Sequence, residues 1–208
     1  HAIWTGMFKL EPGHVMEWSS QGRGSKWQYW EPPRTVDSNR SDEDEFRSLF
    51  EDVVRDHLLS DVATTVFLSG GNDSMAVASA VAAVRESTGS SSAVSAFTVG
   101  FEGAEDEVPA AKKAAHELKL KHTTINVGDG ELMALLRRVA ADYDEPITLS
   151  ATLSMHQLCS GVASKYRVAI SGDGGDEVFC GYQWYRKTTK RSAFEKGTLA
   201  LGLRRSAS

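Results

Sequence analysis

The sequence predicts an α/β domain built on a parallel, doubly wound sheet. From residue 62 onward, short apolar runs alternate with segments of helical periodicity about 10–15 residues long, the pattern of strands joined by crossover helices. Two of these runs end in glycine-rich loops that also carry serine and carboxylate side chains. The 208 residues are 41% hydrophobic and 25% charged, close to the average of globular domains. This is enough apolar material to cover both faces of such a sheet.

Composition and charge argue against several classes of protein. The net charge of −5 disfavours non-specific binding to nucleic acid or to membrane surfaces, which requires a basic field. No apolar run approaches the roughly 18 residues that a membrane span needs. The two cysteines, Cys159 and Cys180, exclude a disulfide framework and favour a reducing, cytoplasmic location. The chain starts at His1 rather than at a methionine and shows no signal-peptide pattern, and it is expected to be a piece of a longer protein.

Residues 1–36 differ from the rest of the chain and are predicted to form a separate N-terminal unit. They are rich in tryptophan and contain two turn signals built on proline. Short extended stretches around Met7–Leu10 and Trp27–Trp30 predict a small hairpin or a pair of strands at a domain edge. A polar linker, Thr35–Asp42, is expected to follow it.

The second predicted unit, residues 37–190, carries the sheet. Its first helix is expected over 43–58, where apolar residues recur at helical spacing behind a capping box of Asp42 and Glu45. The strands that follow are short continuous apolar runs, which are typical of strands buried on both faces. Pro109 marks the first turn of a later helix. The predicted strands cover 63–68, 95–99, 122–127 and 167–170, and the helices after them cover 73–86, 107–119, 130–142 and 151–164.

The first glycine-rich loop, Ser69–Ser74, lies between a predicted strand and a helix. Its paired glycines allow the backbone to approach an anion, and amides at the helix start point towards it. Ser69 and Ser74 add hydroxyl donors to the phosphate oxygens. Asp73 would repel a bare phosphate, so a divalent cation is expected between the Asp73 carboxylate and the phosphates. A magnesium–nucleotide complex meets these requirements together. The alternative is a plain tight turn, which the serines and the aspartate disfavour. The loop matches neither a Walker loop nor Gly-x-Gly-x-x-Gly.

The second glycine-rich loop, Ser171–Glu177, directly follows the last predicted strand. It places three glycines and three carboxylates in seven residues, and their mutual repulsion favours a nearby cation or cationic substrate group. A solvated acidic turn is the alternative. Because ligands bind at the carboxyl ends of parallel strands, Asp73 and Asp176 are expected to serve one metal-bound pyrophosphate.

Several motifs occur in an order that is known from one family. Ser-Gly-Gly-Asn-Asp-Ser at 69–74 resembles the pyrophosphate loop of ATP pyrophosphatases, which synthetases of GMP and NAD share. A more specific resemblance is that of residues 171–182 to a segment of the glutamine-hydrolysing asparagine synthetases. Their sequence is Ser-Gly-Asp-Gly-Gly-Asp-Glu-Val-Phe-Cys-Gly-Tyr. Segments that agree with it are Phe97–Phe101, Asp106–Glu107, Tyr143–Pro146, Lys9–His14 and Tyr29–Pro32. Over residues 1–185 the chain thus resembles the glutamine-hydrolysing asparagine synthetases.

The resemblance implies a fold, a reaction and its reactants. The fold would be a Rossmann-like sheet of the adenine-nucleotide α-hydrolase, or ATP-pyrophosphatase, type. The reaction would be adenylation of aspartate by ATP with release of pyrophosphate, followed by attack of glutamine-derived ammonia and release of AMP. ATP and Mg²⁺ would be the cofactors. A glutaminase domain, normally in the same chain, would be the partner. Assembly into a homodimer is a further possibility.

The resemblance also implies site residues wherever this sequence matches the family. Asp73 and Asp176 would hold magnesium, and Asp173 would help to form or handle the acyl-adenylate. Phosphate contacts would come from the first loop, adenosine contacts from two strand ends, and further nucleotide contacts from the second loop. The implied ATP-binding residues are Phe67, Ser69, Gly70, Gly71, Asp73, Ser74, Val99, Ser171 and Gly172.

The chain departs from the family pattern at Asn72, where an aliphatic residue is usual, and at Cys180, where glycine is usual. The cysteine nucleophile that begins the family's glutaminase domain has no counterpart here. An essential lysine and a Glu-x-Arg-x-Pro-Phe segment would lie beyond residue 208, so residues 191–208 would only begin the family's C-terminal helical region. Two alternatives therefore remain. One is a related adenylating enzyme of the β-lactam synthetase or peptide cyclase type, and the other is a nucleotide-binding fragment that makes no product alone.

Other polar side chains are predicted to be structural. His122 could be taken for a base, but a histidine in this setting is more often structural. His116 and His156 lack the spacing of a zinc site. Cys159 lies on an apolar helical face and is predicted in the core.

Two clusters of charge are predicted to be solvated. The acidic residues between Glu102 and Glu107 fit the start of a helix, where the macrodipole favours them. The basic tail from Arg186 to Arg205 fits a solvated helix face better than a nucleic-acid site.

Overall fold

The chain forms six strands and six helices over the residues that this computed structural model describes, which are 2–22, 24–33, 43–89, 94–102, 107–146, 151–182 and 184–185. The strands are β1 (His14–Trp18), β2 (Gly24–Gln28), β3 (Thr64–Phe67), β4 (Ser95–Phe101), β5 (Lys121–Val127) and β6 (Val168–Ile170). The helices are α1 (Glu43–Leu58), α2 (Asn72–Thr88), α3 (Val108–Glu117), α4 (Asp129–Asp142), α5 (Ala151–Val162) and α6 (Gly175–Phe179). Within these residues no helix is both long and apolar enough to cross a membrane.

A parallel four-stranded sheet organises residues 64–170 in the order β5-β4-β3-β6. β3 lies inside it, with Val66 opposite Ala96 of β4 on one side and Ile170 of β6 on the other. The predicted parallel sheet and its four strands are therefore confirmed. The strand latest in the chain lies next to the earliest, and this brings the loops after β3 and β6 together.

Helices cover the sheet on both faces. Val66 and Ala96 pack with buried residues of α1, α2 and α3, such as Val81 and Ala111. The alternate residue Phe67 points to the other face and packs with the buried residues of α5 and Tyr166. Side chains of successive strand residues point to opposite faces, so two apolar layers arise from one continuous apolar run. The doubly wound arrangement is confirmed.

The N-terminal hairpin forms with a different first strand from the one predicted. β1 pairs antiparallel with β2, and Val15 lies opposite Trp27. Met7–Leu10 is not a strand, so that part of the prediction is wrong. The reason is the turn at Gly13. Gly13 has a φ of +70°, and its carbonyl oxygen accepts the amides of Tyr29 and Trp30. The turn therefore fixes which residues of β1 and β2 pair.

The N-terminal segment contacts the residues that follow α4. The Lys9 ammonium lies 2.5 Å from Glu145 Oε2, and the Ile3 amide donates to Glu145 Oε1 over 3.3 Å. The Trp4 indole N–H donates to the Asp144 carbonyl oxygen over 3.4 Å. The hydrogen bond from Lys9 is the main cause that lowers the pKa of Glu145. The two predicted units are thus linked by polar contacts.

Two details of the helices correct or limit the predictions. Cys159, predicted in the core, is exposed, because the buried face of α5 is formed by Leu158 and Val162 and the next residue points about 100° away. α6 was not predicted. Some predicted features lie outside the described residues. These are the linker with Asp42 of the capping box, residues 103–106 of the acidic cluster, and the chain from residue 186 onward, which includes the predicted region 191–208.

Candidate functional site

A cavity of about 1000 Å³ opens at the carboxyl edge of β3, β4 and β6. Both glycine-rich loops line it, together with the ends of β3 and β4 and one face of α5. The predicted site residues among its walls are Phe67, Ser69, Gly71, Asp73, Ser74, Val99, Ser171, Gly172, Asp173 and Asp176. Of the predicted residues, Gly70 is absent from these walls. The sheet order thus gathers side chains that are about 100 residues apart in the chain.

The first loop is held by its own serines. The Ser74 hydroxyl accepts the Ser69 amide over 3.0 Å and lies 2.8 Å from the Ser69 hydroxyl, which in turn accepts the Gly71 amide over 3.1 Å. Ser74 is 8% exposed, so these bonds are largely shielded from water. The serine hydroxyls, predicted as phosphate donors, therefore fix the curvature of the loop in this structure.

The two loops touch through glycine. A Cβ atom on Gly172 would lie 2.6 Å from the Ser74 backbone nitrogen, and one on Gly175 would lie 2.4 Å from the Asp73 carboxyl carbon. Both distances are far below van der Waals contact, so the second loop approaches the start of α2 more closely than any side chain would permit. Glycine is required at both positions for this contact.

The carboxylates of both loops face the cavity. Asp73 lies in the first turn of α2 and packs against Gly175, the residue before Asp176 in the first turn of α6. The Ser171 hydroxyl donates to Asp173 Oδ2 over 2.9 Å and so orients this third carboxylate. One cavity therefore contains the three carboxylates that the sequence singled out.

The donor set suits magnesium bound partly by a ligand. Among the described residues there is no cluster of three or more His, Cys, Asp or Glu side chains that could hold a metal alone. Mg²⁺ usually takes one or two carboxylates together with substrate phosphates and water. Asp73 in the first turn of α2 and Asp176 in the first turn of α6 supply two carboxylates to this cavity, so the residues present fit a magnesium–nucleotide complex.

Glu177 and Tyr182 belong to the 171–182 motif, and nothing in the sequence pattern indicates a role for either of them. The Tyr182 hydroxyl donates to Glu177 Oε1 over 2.6 Å, and both residues line the cavity. This bond lowers the pKa of Glu177 and raises the pKa of Tyr182 to about 12. Glu177 therefore stays ionised at neutral pH with one oxygen fixed by the phenol. Glu177 and Tyr182 are five positions apart, which is not the spacing of a regular helix or strand. The left-handed backbone at Cys180 turns the chain and brings them together.

His122 has a structural partner, as the sequence suggested. Thr98, 3% exposed, donates its hydroxyl to the Leu68 carbonyl oxygen over 2.5 Å. Its oxygen lies 2.8 Å from His122 Nε2, so the proton of that bond belongs to the imidazole. Burial, and secondarily the charge of Lys112, lowers the pKa of His122 and keeps the ring neutral. The chain of bonds anchors the end of β3, where the first loop begins.

A family model described as asparagine synthase matches residues 45–207, which is more than half of the chain. The chain belongs to the asparagine synthase family. It is 32% identical over 185 residues to a putative glutamine-hydrolysing asparagine synthetase 2 of Methanocaldococcus jannaschii, covering 88% of this chain and 35% of the relative. It is 27% identical over 205 residues to asparagine synthetase 3 of Bacillus subtilis, covering 92% of this chain and 33% of that protein.

A plant member of the asparagine synthase family matches a similar share of this chain. The asparagine synthetase of Brassica oleracea is 32% identical over 201 residues, covering 90% of this chain and 33% of the relative. The chain thus spans about a third of the length of these relatives. Among solved structures, an NAD⁺ synthetase of Burkholderia pseudomallei has a TM-score of 0.46 and 17% identity, covering 68% of this chain and 67% of that one.

Proposed function

We propose that this chain carries the ATP site of a synthetase that adenylates aspartate for conversion to asparagine. The observation that carries the proposal is the contact between the two glycine-rich loops, which places Asp73, Asp173 and Asp176 around one cavity at the start of α2. A helix start with close-packed glycines favours phosphate binding, and paired carboxylates favour the metal that accompanies it. Membership of the asparagine synthase family supports the choice of reaction.

In this proposal both glycine-rich loops contact the nucleotide. Ser69–Ser74 and the amides at the start of α2 would bind the phosphates, with Ser171 and Gly172 closing the opposite side. Phe67, the last residue of β3, and Val99, near the carboxyl end of β4, would contact the adenosine. Asp73 and Asp176 would hold Mg²⁺, which when bound neutralises charge on the phosphates.

The proposed reaction has two displacements. A carboxylate oxygen of aspartate attacks the α-phosphorus of ATP, and the bond to the β-phosphate oxygen breaks, so pyrophosphate leaves. Ammonia then attacks the acyl carbon and loses a proton, and AMP leaves with the electron pair of the acyl–oxygen bond. Asp173, oriented by the Ser171 hydroxyl, would act near the acyl-adenylate. Backbone amides of the first loop would stabilise charge developing on the phosphates.

The whole protein is proposed to be larger than these 208 residues. Residues 1–36 would be the end of a glutaminase domain and its linker, residues 37–190 the synthetase domain, and 191–208 the start of a helical region. The glutaminase domain would release ammonia from glutamine in the cytoplasm. The N-terminal unit would contact the synthetase unit through Lys9 and Ile3, which bond to Glu145, and through Trp4, which bonds to Asp144.

Calorimetric titration of the 208-residue chain with ATP, with and without Mg²⁺, tests the nucleotide site. Asp73→Asn is expected to weaken binding in magnesium by about 10–100-fold, the size of effect typical of groups that support a metal. Asp61→Asn, an exposed aspartate before β3, is the matched control and should bind as wild type does. Equal affinity of Asp73→Asn and wild type in magnesium would remove the metal role of Asp73.

An ATP–pyrophosphate exchange assay on the full-length protein tests the acid substrate. Aspartate is expected to support exchange, and ammonium is then expected to produce AMP and asparagine in equal amounts. A panel of other amino acids and carboxylic acids serves as the comparison. Exchange with another acid, and none with aspartate, would place the protein with adenylating enzymes of different product.

A further inference from the structure

The carboxylate of Glu107 is directed at the first glycine of the phosphate loop. The Gly70 amide donates to Glu107 Oε2 over 3.3 Å. Glu107 precedes α3 as its N-cap residue, yet its side chain makes no capping bond to its own helix. The contact is also one of packing, because a Cβ atom on Gly70 would lie 3.1 Å from Ala110 Cβ and 3.3 Å from Glu107 Cβ. The start of α3 and the loop are thus in direct contact.

The amide of Gly70 has a different kind of hydrogen-bond acceptor from the amides of its two neighbours. The amides of Ser69 and Gly71 are bonded to serine hydroxyls within the loop. The Gly70 amide is bonded to a different element of the fold, and Gly70 does not line the cavity. The amides at the start of α2, Asn72–Ser74, are the ones that a helix leaves without intrahelical partners.

We infer that Glu107 is a positioning residue that fixes the Ser69–Ser74 loop to α3. By accepting the Gly70 amide, it turns this donor away from the cavity and leaves phosphate binding to the amides at the start of α2. The family resemblance implies a contact of Gly70 with ATP, whereas Gly70 has an indirect role in this proposal. It rests on the proposed function, since it concerns how the loop binds phosphate.

The test compares ATP and adenosine binding in two variants and a control. Glu107→Ala removes the acceptor, and ATP in magnesium is expected to bind about three- to tenfold more weakly, the usual cost of one hydrogen bond. Adenosine, which lacks phosphates, is expected to bind equally well. Glu107→Gln keeps an oxygen that accepts the Gly70 amide, so its ATP affinity should stay within about twofold of wild type. Glu117→Ala, on an exposed residue of the same helix, is the control.

For Glu107→Ala, two binding results would overturn the inference. One is wild-type ATP affinity in Glu107→Ala. The other is an equal loss for ATP and adenosine together with a lower melting temperature, which would indicate general destabilisation. If Glu107→Gln weakened ATP binding as much as Glu107→Ala, the acceptor role would be wrong as well.

A measurement without nucleotide separates this inference from the proposed function. Hydrogen exchange of the Gly70 amide, followed by NMR in the free 208-residue chain, is expected to be faster in Glu107→Ala than in wild type and unchanged in Glu107→Gln. Unchanged exchange in Glu107→Ala would refute the contact. Failure of the proposed function would appear differently, as a wild-type chain that does not bind ATP although the exchange results hold.

Discussion

Substitution of Gly172 by alanine should separate the two loops of the site. The new methyl group would lie 2.6 Å from the Ser74 nitrogen and 2.8 Å from the Asp73 carbonyl carbon, and both are backbone atoms that no rotamer change can move. Ordinary contact begins near 3.4 Å, so one loop must shift by roughly 0.8 Å. Overpacking of this kind costs about 1–3 kcal/mol.

Two measurements follow from that displacement. The melting temperature of Gly172→Ala should fall by roughly 3–10 °C, because a domain of this size loses about 2–4 °C per kcal/mol. ATP affinity in magnesium should fall by more than about tenfold at a temperature where the variant is folded, because the shift moves the carboxylates of the two loops apart. Thermal unfolding by circular dichroism and calorimetric titration give the two values.

Gly130→Ala is the matched control. Gly130 lies in α4, where an added Cβ atom would meet nothing within 4 Å, so the change should stabilise the chain by about 0.4–1 kcal/mol and leave ATP binding unaltered. If Gly172→Ala melted and bound ATP as wild type does, the close contact of the loops would be refuted. A loss of stability without any loss of ATP affinity would show that the contact serves folding alone.

Three further predictions concern single side chains near the site. Cys180 has a φ of +56°, a left-handed conformation that disfavours side chains, so Cys180→Gly should raise the free energy of unfolding by about 1 kcal/mol in a urea titration. Tyr182→Phe should raise the pKa of Glu177 towards its ordinary value, measured by NMR, and should remove the phenol that titrates near pH 12; an unchanged Glu177 titration would contradict the pairing. His122 has a native pKa lowered by burial and by Lys112, so the unfolded chain binds its proton more readily. Stability should therefore fall as the pH drops below about 6.5 and level off below the native pKa, and His122→Gln should lose this part of the pH dependence.

The order and type of the sheet elements could be predicted from the sequence. Each strand of the sheet is a short apolar run and each covering helix has its own periodicity, so local pattern was sufficient for β3 to β6. The placement of the Ser69–Ser74 and Ser171–Glu177 loops at one edge followed from the rule that carboxyl ends of parallel strands coincide. Local pattern failed at Met7–Leu10, an extended apolar stretch, because strand pairing depends on a partner and on the turn at Gly13.

Tertiary structure alone decided how the site is assembled. The sheet order places β6 beside β3, and only this adjacency lets Gly172 pack on the start of α2. The same holds for the Gly70 amide, which donates to Glu107 because the fold brings the start of α3 against the loop. Both contacts join residues more than 30 positions apart, and no periodicity along a chain encodes the distance between two loops. Composition and spacing determined which chemical groups would be present, whereas the packing of neighbouring strands determined which of them meet.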